Sequence, residues 1–195
     1  MYKRRLPYFI ASTAILATLS IIFDLLPTIR VPWGMKIDFV GTILVLSFYL
    51  YGLSEALLVS GITSFYIILF SPTGLVGGAM KFIATIPMFL VPAGMIHLPF
   101  FSEKQSRKFN RLLVMIIVCI VATVVRVAVA SLVNLYWAVP LWLGVPSDIV
   151  LQNYGGLLPF IAFVAGMNVL QSIVDSVVSW FLAFKVKLSE HFGTW

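Results

Sequence analysis

The sequence predicts an all-α membrane protein of six transmembrane helices, with cytoplasmic N- and C-termini. The first supporting observation is composition, since 61% of the 195 residues are hydrophobic and only 10% are charged, against about 25% charged residues in soluble domains. The second is the mean hydropathy of +1.07. The third is a succession of apolar runs near the length of about 20 residues that a helix needs to cross a bilayer.

Six spans are predicted from these runs, at residues 6–27, 37–53, 54–71, 76–98, 110–142 and 157–185. The first span has a basic start, but its apolar stretch exceeds the roughly 7–15 residues of a signal-peptide core, so we expect it to be retained. The spans leave no room for a separate soluble domain, and residues 1–195 are expected to form a single integral membrane domain. Cys119 is the single cysteine, which excludes an intrachain disulfide.

The basic residues orient the predicted spans. Nine of them fall on one side, whereas Arg30 and Lys36 fall on the other. Because cytoplasmic loops carry the excess of Lys and Arg, the side with nine is predicted to be cytoplasmic, together with both termini. The nine are Lys3, Arg4, Arg5, Lys104, Arg107, Lys108, Arg111, Lys185 and Lys187. Since the net charge of +6 is dispersed among spans rather than gathered on a soluble face, no nucleic-acid partner is expected.

Strongly polar side chains inside the spans are candidate binding residues. Asn134 lies in an apolar run, six residues before Pro140 and so about 9 Å below the outer end of span five. Span six carries polar residues at spacings of three and four, which place them on one helical face. They are Asn168, Gln171, Ser172, Asp175 and Ser179. Hydrogen bonding between helices is one explanation, and a ligand site is the other, since amides both donate and accept.

Two further features of the spans admit similar alternatives. Arg126 and Asp175 lie at depths of about 21 and 25 Å by the helical rise, so we predict that they pair between spans five and six. Lys81 either extends to the membrane interface or contacts a ligand. Aromatic residues near the outer end either cover a ligand or form an interfacial belt. They are Trp33, Tyr136, Trp137, Trp142 and Tyr154.

The sequence offers little for catalysis. His97 and His191 fall at the cytoplasmic ends of spans, and no hydrolase, metalloprotease or paired-carboxylate motif is present. No phosphate-binding loop is present either, so any ATP must be hydrolysed by another chain. We therefore expect that the protein is not an enzyme.

Four segments, taken in order, resemble the substrate-binding S components of energy-coupling factor (ECF) vitamin transporters, and most closely their riboflavin-binding branch. They are MKIDFVGTIL, SPTGLVGGAMKF, SLVNLYWAVPLW and GMNVLQSIVDSVVSWFLAFKVKL. Their order and spacing carry the resemblance, because no single segment is specific by itself. The resemblance implies a six-helix substrate-binding subunit that crosses the cell membrane several times.

The resemblance also implies the binding residues. Asn134 matches the flavin-contacting asparagine of span five, and Asn168 matches the one at the head of span six. In the family these amides hold the polar edges of the isoalloxazine ring and its ribityl chain, while apolar and aromatic side chains cover the ring faces. The residues expected to bind the substrate are Asn134, Asn168, Gln171, Lys81, Asp38, Tyr136 and Trp137. Riboflavin is expected as the transported ligand, with no cofactor, metal or catalytic residue.

Two departures from the family pattern affect the choice of substrate. Three residues after Asn168 the family usually has a lysine, and this chain has Gln171. In span four the usual Gly-Glu-Leu-Ala-Asn-Phe reads GGAMKF, with Gly78 and Lys81 in place of glutamate and asparagine. Another vitamin or related heterocycle is therefore the alternative substrate. A self-sufficient secondary transporter is the alternative from another class, and it predicts a continuous polar pathway with ion-coupled uptake.

The partners implied by the resemblance are a small-molecule vitamin, membrane lipid, a membrane T component and two cytoplasmic ATPases. The vitamin would be captured from outside and enclosed by the loop between spans one and two, and the partners would then drive reorientation. Small residues of span one would permit close packing against the T component or within the chain. They are Ala11, Ser12, Ala14, Ala17, Thr18 and Ser20.

The predicted topology can be tested with cysteines at Thr28 and Ser102. Because basic residues place residue 102 on the cytoplasmic side and residue 28 outside, a membrane-impermeant thiol reagent should label the two positions from opposite sides. Labelling of both from the outside would overturn the topology.

Overall fold

The computed structural model describes residues 6–30, 35–98 and 105–195. The helices are α1 Leu6–Leu25, α2 Val40–Tyr51, α3 Leu53–Phe70, α4 Gly74–Thr85, α5 Pro87–Met95, α6 Leu112–Val133, α7 Val139–Leu143, α8 Ser147–Asn153, α9 Leu157–Trp180 and α10 Leu188–His191. Turns of π-helix at Asn134–Ala138 and Phe181–Lys185 join α6 to α7 and extend α9, and a 3₁₀ turn covers Ser106–Asn110. Strands β1 Ile29–Arg30 and β2 Lys36–Ile37 pair antiparallel, with Ile29 opposite Ile37.

The prediction of an all-helical membrane protein is confirmed. Within the described residues, five helical segments are long and apolar enough to cross a membrane, namely Leu6–Leu25, Leu53–Phe70, Gly74–Met95, Leu112–Leu143 and Leu157–Lys185. They correspond to the predicted spans one, three, four, five and six. The sixth crossing and the orientation of the termini stay predictions.

The predicted second span, residues 37–53, is shorter in the structure than the sequence indicates. It forms α2, which has 12 residues and is therefore about 18 Å long, against a hydrocarbon core of about 30 Å. All of its residues from Val40 to Leu50 are buried. The sequence of α2 is apolar because protein covers the helix on every side. A helix buried in protein has the same apolar composition as a helix in contact with lipid.

Helix α2 lies alongside α9 and runs in the same direction. Asp38, just before α2, hydrogen-bonds Gln171 of α9, and the ring of Tyr49 near the end of α2 lies 5.3 Å from that of Phe184. Gln171 follows Leu157 by 14 residues, or about 21 Å of helix. Asp38 therefore lies at this depth below the start of α9, and the space beyond the start of α2 is left for a cavity.

The opposite end of the bundle is closed by aromatic packing. The rings of Phe48 and Trp195 lie 5.0 Å apart, and the Trp195 indole N–H donates to the Phe48 carbonyl at 2.8 Å. Phe109 contacts Phe48 with a ring separation of 5.9 Å, and its carbonyl accepts the Trp180 indole N–H at 2.7 Å. These contacts join α2, α9 and the 3₁₀ turn, so this end of the bundle is filled with side chains.

The small residues of α1 divide between two faces. Ser12, Ala17 and Ser20 are buried against the rest of the chain, whereas Ala11, Ala14 and Thr18 are exposed. The first three therefore serve packing within the chain. The other three remain available for contact with lipid or with another protein.

Close approach of α2 to α9 requires a glycine at position 41. A Cβ atom placed on Gly41 would lie 2.4 Å from Oδ2 of Asp175, and Asp175 is fully buried. Gly61, by contrast, has no atom within 4 Å of its Cβ position. The two glycines therefore form a matched pair, one with a steric requirement and one without.

We predict that Gly41→Ala destabilises the protein by about 1–3 kcal/mol, because the added methyl group displaces a carboxylate that cannot move into free space. Gly61→Ala should be neutral or stabilise α3 by up to about 1 kcal/mol, since alanine favours helix more than glycine does. The measurement is the thermal unfolding midpoint of the purified variants in detergent. Equal midpoints for the two variants would contradict the steric role of Gly41.

Candidate ligand-binding site

A cavity opens between α3, α4, α6, α7, α9 and the segment before α2. The empty space in and in front of it is about 800 Å³, a figure that includes open solvent at its mouth. The polar side chains that line it include Lys36, Lys81, Thr85, Arg126, Asn134, Asn168 and Gln171. Apolar walls are formed by Met35, Val76, Met80, Val139, Trp142 and Met167. Apolar walls with a few convergent polar groups are typical of ligand sites.

The structure brings four of the seven predicted binding residues to this cavity, namely Lys81, Asn134, Asn168 and Gln171. Asp38 is buried and lies behind Lys81, to which it is bonded. Trp142, one of the aromatic residues predicted near the outer end, lines the cavity. Trp33 lies outside the described residues.

Tyr136 and Trp137, the other two residues expected to bind the substrate, do not line this cavity. Asn134 and Ala138, four residues apart, face the cavity, and residues between them on a helical turn point elsewhere. Tyr136 is 70% exposed, and Trp137 is half-buried without lining the cavity. The side chain of Tyr136 is therefore on the surface, and neither side chain is part of the cavity wall.

Asn134 begins the π-helical turn that joins α6 to α7. Its amide nitrogen donates to the Ala130 carbonyl at 2.7 Å, so that group is bound within its own helix. No hydrogen bond from the described residues engages the other end of the amide, the Oδ1 atom. Because Asn134 lines the cavity, its side chain can supply an acceptor for a donor group of a ligand.

Asn168 connects α9 to an arginine of α6. Its nitrogen donates to the Val164 carbonyl at 2.8 Å, and its Oδ1 atom accepts a hydrogen bond from Nε of Arg126 at 3.1 Å. Asn168 therefore orients Arg126 as well as lining the cavity. The two explanations given for this residue, bonding between helices and ligand contact, both agree with its position.

The predicted ion pair between spans five and six is confirmed. Nη1 of Arg126 donates to Oδ2 of Asp175 at 2.8 Å, and both side chains are buried. The other carboxylate oxygen of Asp175 accepts a hydrogen bond from Nε2 of Gln171 at 2.7 Å. Removing one partner from a buried pair of this kind typically costs about 3–5 kcal/mol, because the other charge is left unpaired.

Gln171 joins α9 to the backbone before α2. Its Oε1 atom accepts the Asp38 N–H at 3.0 Å, and its Nε2 atom donates to the Asp38 carbonyl at 2.7 Å. With the bond to Asp175, both amide hydrogens of Gln171 are used, since a primary amide carries two. Gln171 lines the cavity, but its hydrogen-bond donors hold the protein together rather than facing a ligand.

Asp38 is the centre of a second cluster of charges. Its carboxylate accepts hydrogen bonds from Nζ of Lys81, 2.8 Å from each oxygen, and Nζ of Lys36 lies 3.5 Å from Oδ2. Lys36 also pairs with Asp24 at the end of α1. The Asp38 carboxylate is therefore surrounded by two ammonium groups.

The charges around the cavity balance one another. Each of the three cations is paired with a carboxylate: Lys36 with Asp24, Lys81 with Asp38, and Arg126 with Asp175. The cations Lys36, Lys81 and Arg126 line the cavity, whereas Asp38 and Asp175 lie behind them. The cavity wall consequently presents hydrogen-bond donors without a net positive charge.

The sequence predicted neither a partner nor a binding role for two of these charged residues, Asp24 and Lys36. Asp24 is an acidic residue inside the first predicted span, which is a signal for a functional or paired position. Lys36 was assigned to the outer loop, and its separation of two residues from Asp38 did not reveal that both would be buried. No group of three or more His, Cys, Asp or Glu side chains that could hold a metal ion occurs in the described part of the chain.

Comparisons with known proteins agree with this architecture. Residues 8–186 match the family described as "ECF transporter, substrate-specific component". The structure resembles one solved for "Structure and mechanism of the S component of a bacterial ECF transporter", with a TM-score of 0.66 and 19% sequence identity over 94% of this chain and 97% of that chain. No curated protein sequence matches.

S components are substrate-binding transport proteins rather than enzymes, and they work with a T component and ATPases. The family match covers most of the chain, and the structural likeness independently supports the fold. The chain therefore belongs to the family of substrate-specific components of ECF transporters.

Proposed function

We propose that the protein captures riboflavin, or a related flavin, from outside the cell membrane as the S component of an ATP-driven ECF importer. The observation that carries the proposal is the composition of the cavity wall. It combines an open amide acceptor on Asn134, donors on Lys81 and Arg126, and apolar side chains between them.

The isoalloxazine ring matches this wall chemically. It is flat and apolar on both faces, and its edge alternates carbonyl acceptors with an N–H donor. The carbonyl groups can accept from Lys81 and Arg126, a hydroxyl of the ribityl chain can donate to Asn134, and the ring faces can contact Met80 and Met167. The absence of net charge among the surrounding groups favours a neutral ligand such as riboflavin.

Uptake against a gradient requires energy from partners. The chain has no phosphate-binding loop, and the charged side chains around its cavity are paired with one another. The T component and two ATPases would therefore supply the energy, and this chain would supply the binding site and the membrane-embedded surface on which the partners act.

Another uncharged vitamin or heterocycle is the second candidate ligand. The hydrogen bonds of Gln171 support this alternative. Both amide hydrogens of Gln171 bind Asp38 and Asp175, at the position where the riboflavin branch usually has a lysine. The ligand contacts at this part of the site therefore differ from those implied by the resemblance.

The purified protein should bind riboflavin, measured as quenching of flavin fluorescence. Asn134→Ala and Asn168→Ala should weaken binding by about threefold to more than tenfold, because a lost hydrogen bond costs roughly 0.5–1.5 kcal/mol, or more when a buried partner is stranded. Asn153→Ala, at the exposed end of α8 and away from the cavity, is the matched control. Unchanged affinity in both cavity variants, with the fold intact, would return these residues to a purely structural role.

Uptake assays in vesicles test whether this chain supplies only the binding site while its partners supply the energy. The chain alone should bind labelled riboflavin without accumulating it, and addition of the T component with two ATPases should give uptake that requires hydrolysable ATP. Catalytically inactive ATPases should abolish uptake but preserve binding. Accumulation by the chain alone in a proton or sodium gradient would instead support a secondary transporter.

A further inference from the structure

Thr85, a residue with no role so far, lies near the inner end of the cavity together with Arg126. Thr85 lies at the end of α4, one helical turn beyond Lys81 on the same face, and Arg126 approaches from α6. Both line the cavity. Asn134, at the other end of the same α6 face, lies eight residues nearer to the predicted outer side.

Thr85 is buried without a hydrogen-bond partner. Its side chain is 0% exposed, and its hydroxyl oxygen has no partner among the described residues. A buried polar atom left unsatisfied typically costs about 1–3 kcal/mol. Among cavity-lining side chains, an unsatisfied hydroxyl of this kind is the group that a ligand atom would complete.

Arg126 and Lys81 also retain donors that the protein does not use. A guanidinium carries five N–H groups and an ammonium three. Among the described residues, Arg126 donates to Asn168 and Asp175, and Lys81 donates to the two oxygens of Asp38. Each cation therefore keeps donor capacity while its charge is balanced by a carboxylate behind the cavity wall.

From this arrangement we infer that Lys81, Thr85 and Arg126 form an inner subsite that binds an uncharged hydrogen-bond acceptor of the ligand, such as a ring carbonyl. All three donor groups line the same cavity, and a set of donors selects an acceptor. Because Asp38 and Asp175 already balance the two cations, a carboxylate or phosphate would lose its hydration without gaining net counter-charge. The inference rests on the proposed function in so far as it assumes that a flavin occupies the cavity.

A pair of isosteric substitutions tests the role of the hydroxyl. Thr63 on α3 is the matched control, because it is equally buried and its hydroxyl also lacks a partner among the described residues, but it does not line the cavity. Thr85→Val should weaken riboflavin binding by about two- to tenfold, and Thr63→Val should not change it. Thr85→Ser, which keeps the hydroxyl, should restore most of the lost affinity. Equal affinities for Thr85→Val and the unaltered protein, both folded, would overturn the inference.

Flavin analogues identify the acceptor. In 2-thioriboflavin and 4-thioriboflavin a ring carbonyl oxygen is replaced by sulfur, a weaker acceptor. With one of these two analogues, Thr85→Val should reduce the binding affinity much less than it does with riboflavin. The reason is that the sulfur atom has already weakened the hydrogen bond from the Thr85 hydroxyl. An undiminished loss with both analogues would overturn the assignment to a ring carbonyl.

A labelling experiment separates the subsite from the identity of the ligand. Thr85→Cys, in a Cys119→Ala background, should react with the small neutral reagent methyl methanethiosulfonate faster than Thr63→Cys, because the two positions are equally buried but position 85 lines the cavity. No reaction at position 85 would overturn the subsite whatever the ligand is. Reaction at position 85 combined with failure of riboflavin to bind or protect would count against the flavin and leave the subsite standing.

The charge of the reagent tests the selection of an uncharged group. The neutral methanethiosulfonate should modify Thr85→Cys faster than its anionic sulfonatoethyl or cationic trimethylammonium analogues, because the surrounding charges balance. Faster reaction of the anionic reagent would reveal excess positive potential and would overturn the preference for an uncharged acceptor.

Discussion

Buried charge is the constraint on which the arrangement of this protein depends, and Asp38 is its centre. The carboxylate of Asp38 pairs with Lys81 of α4, and its backbone N–H and carbonyl both bind Gln171 of α9. Gln171 in turn bonds Asp175, the partner of Arg126 in α6. Since an uncompensated buried charge is costly, each of these contacts restricts the position of the next.

This network couples the position of α2 to the walls of the cavity. Asp38 is bonded on one side to Lys81 of α4 and on the other to Gln171 of α9, and both of these side chains line the cavity. A shift of the segment before α2 would therefore change the cavity surface directly. The same contacts explain why a chain of this hydropathy tolerates three buried carboxylates in the described network.

Part of this arrangement was accessible from the sequence, and the reasons are physical. The pair formed by Arg126 and Asp175 was predicted correctly because depth along a regular helix follows from the rise per residue. Asn134 and Asn168 were placed at a common site by resemblance, and both line the cavity. Such inferences require only the order of residues along helices and the cost of isolated polar groups in a membrane.

Other features depend on contacts that no local pattern encodes. The length of α2 was misjudged because a helix surrounded by protein and a helix surrounded by lipid have the same apolar composition. The sequence could not show that Tyr136 and Trp137 do not line the cavity, because the face that the π-helical turn after α6 presents depends on how α6 packs against α4 and α9. The bonds from Gln171 to Asp38 join residues 133 positions apart, and the pairing of Lys36 with Asp24 requires the fold of the connecting hairpin.

The buried position of α2 has a consequence for biogenesis. A helix of 12 residues is too short to cross a bilayer by itself, and α9, which covers one of its faces, is synthesised more than 100 residues later. The protein contacts that cover α2 on the side of α9 are therefore absent until this helix has been made. Assembly of the cavity also requires α9, because Asn168 and Gln171, which line the cavity, belong to it.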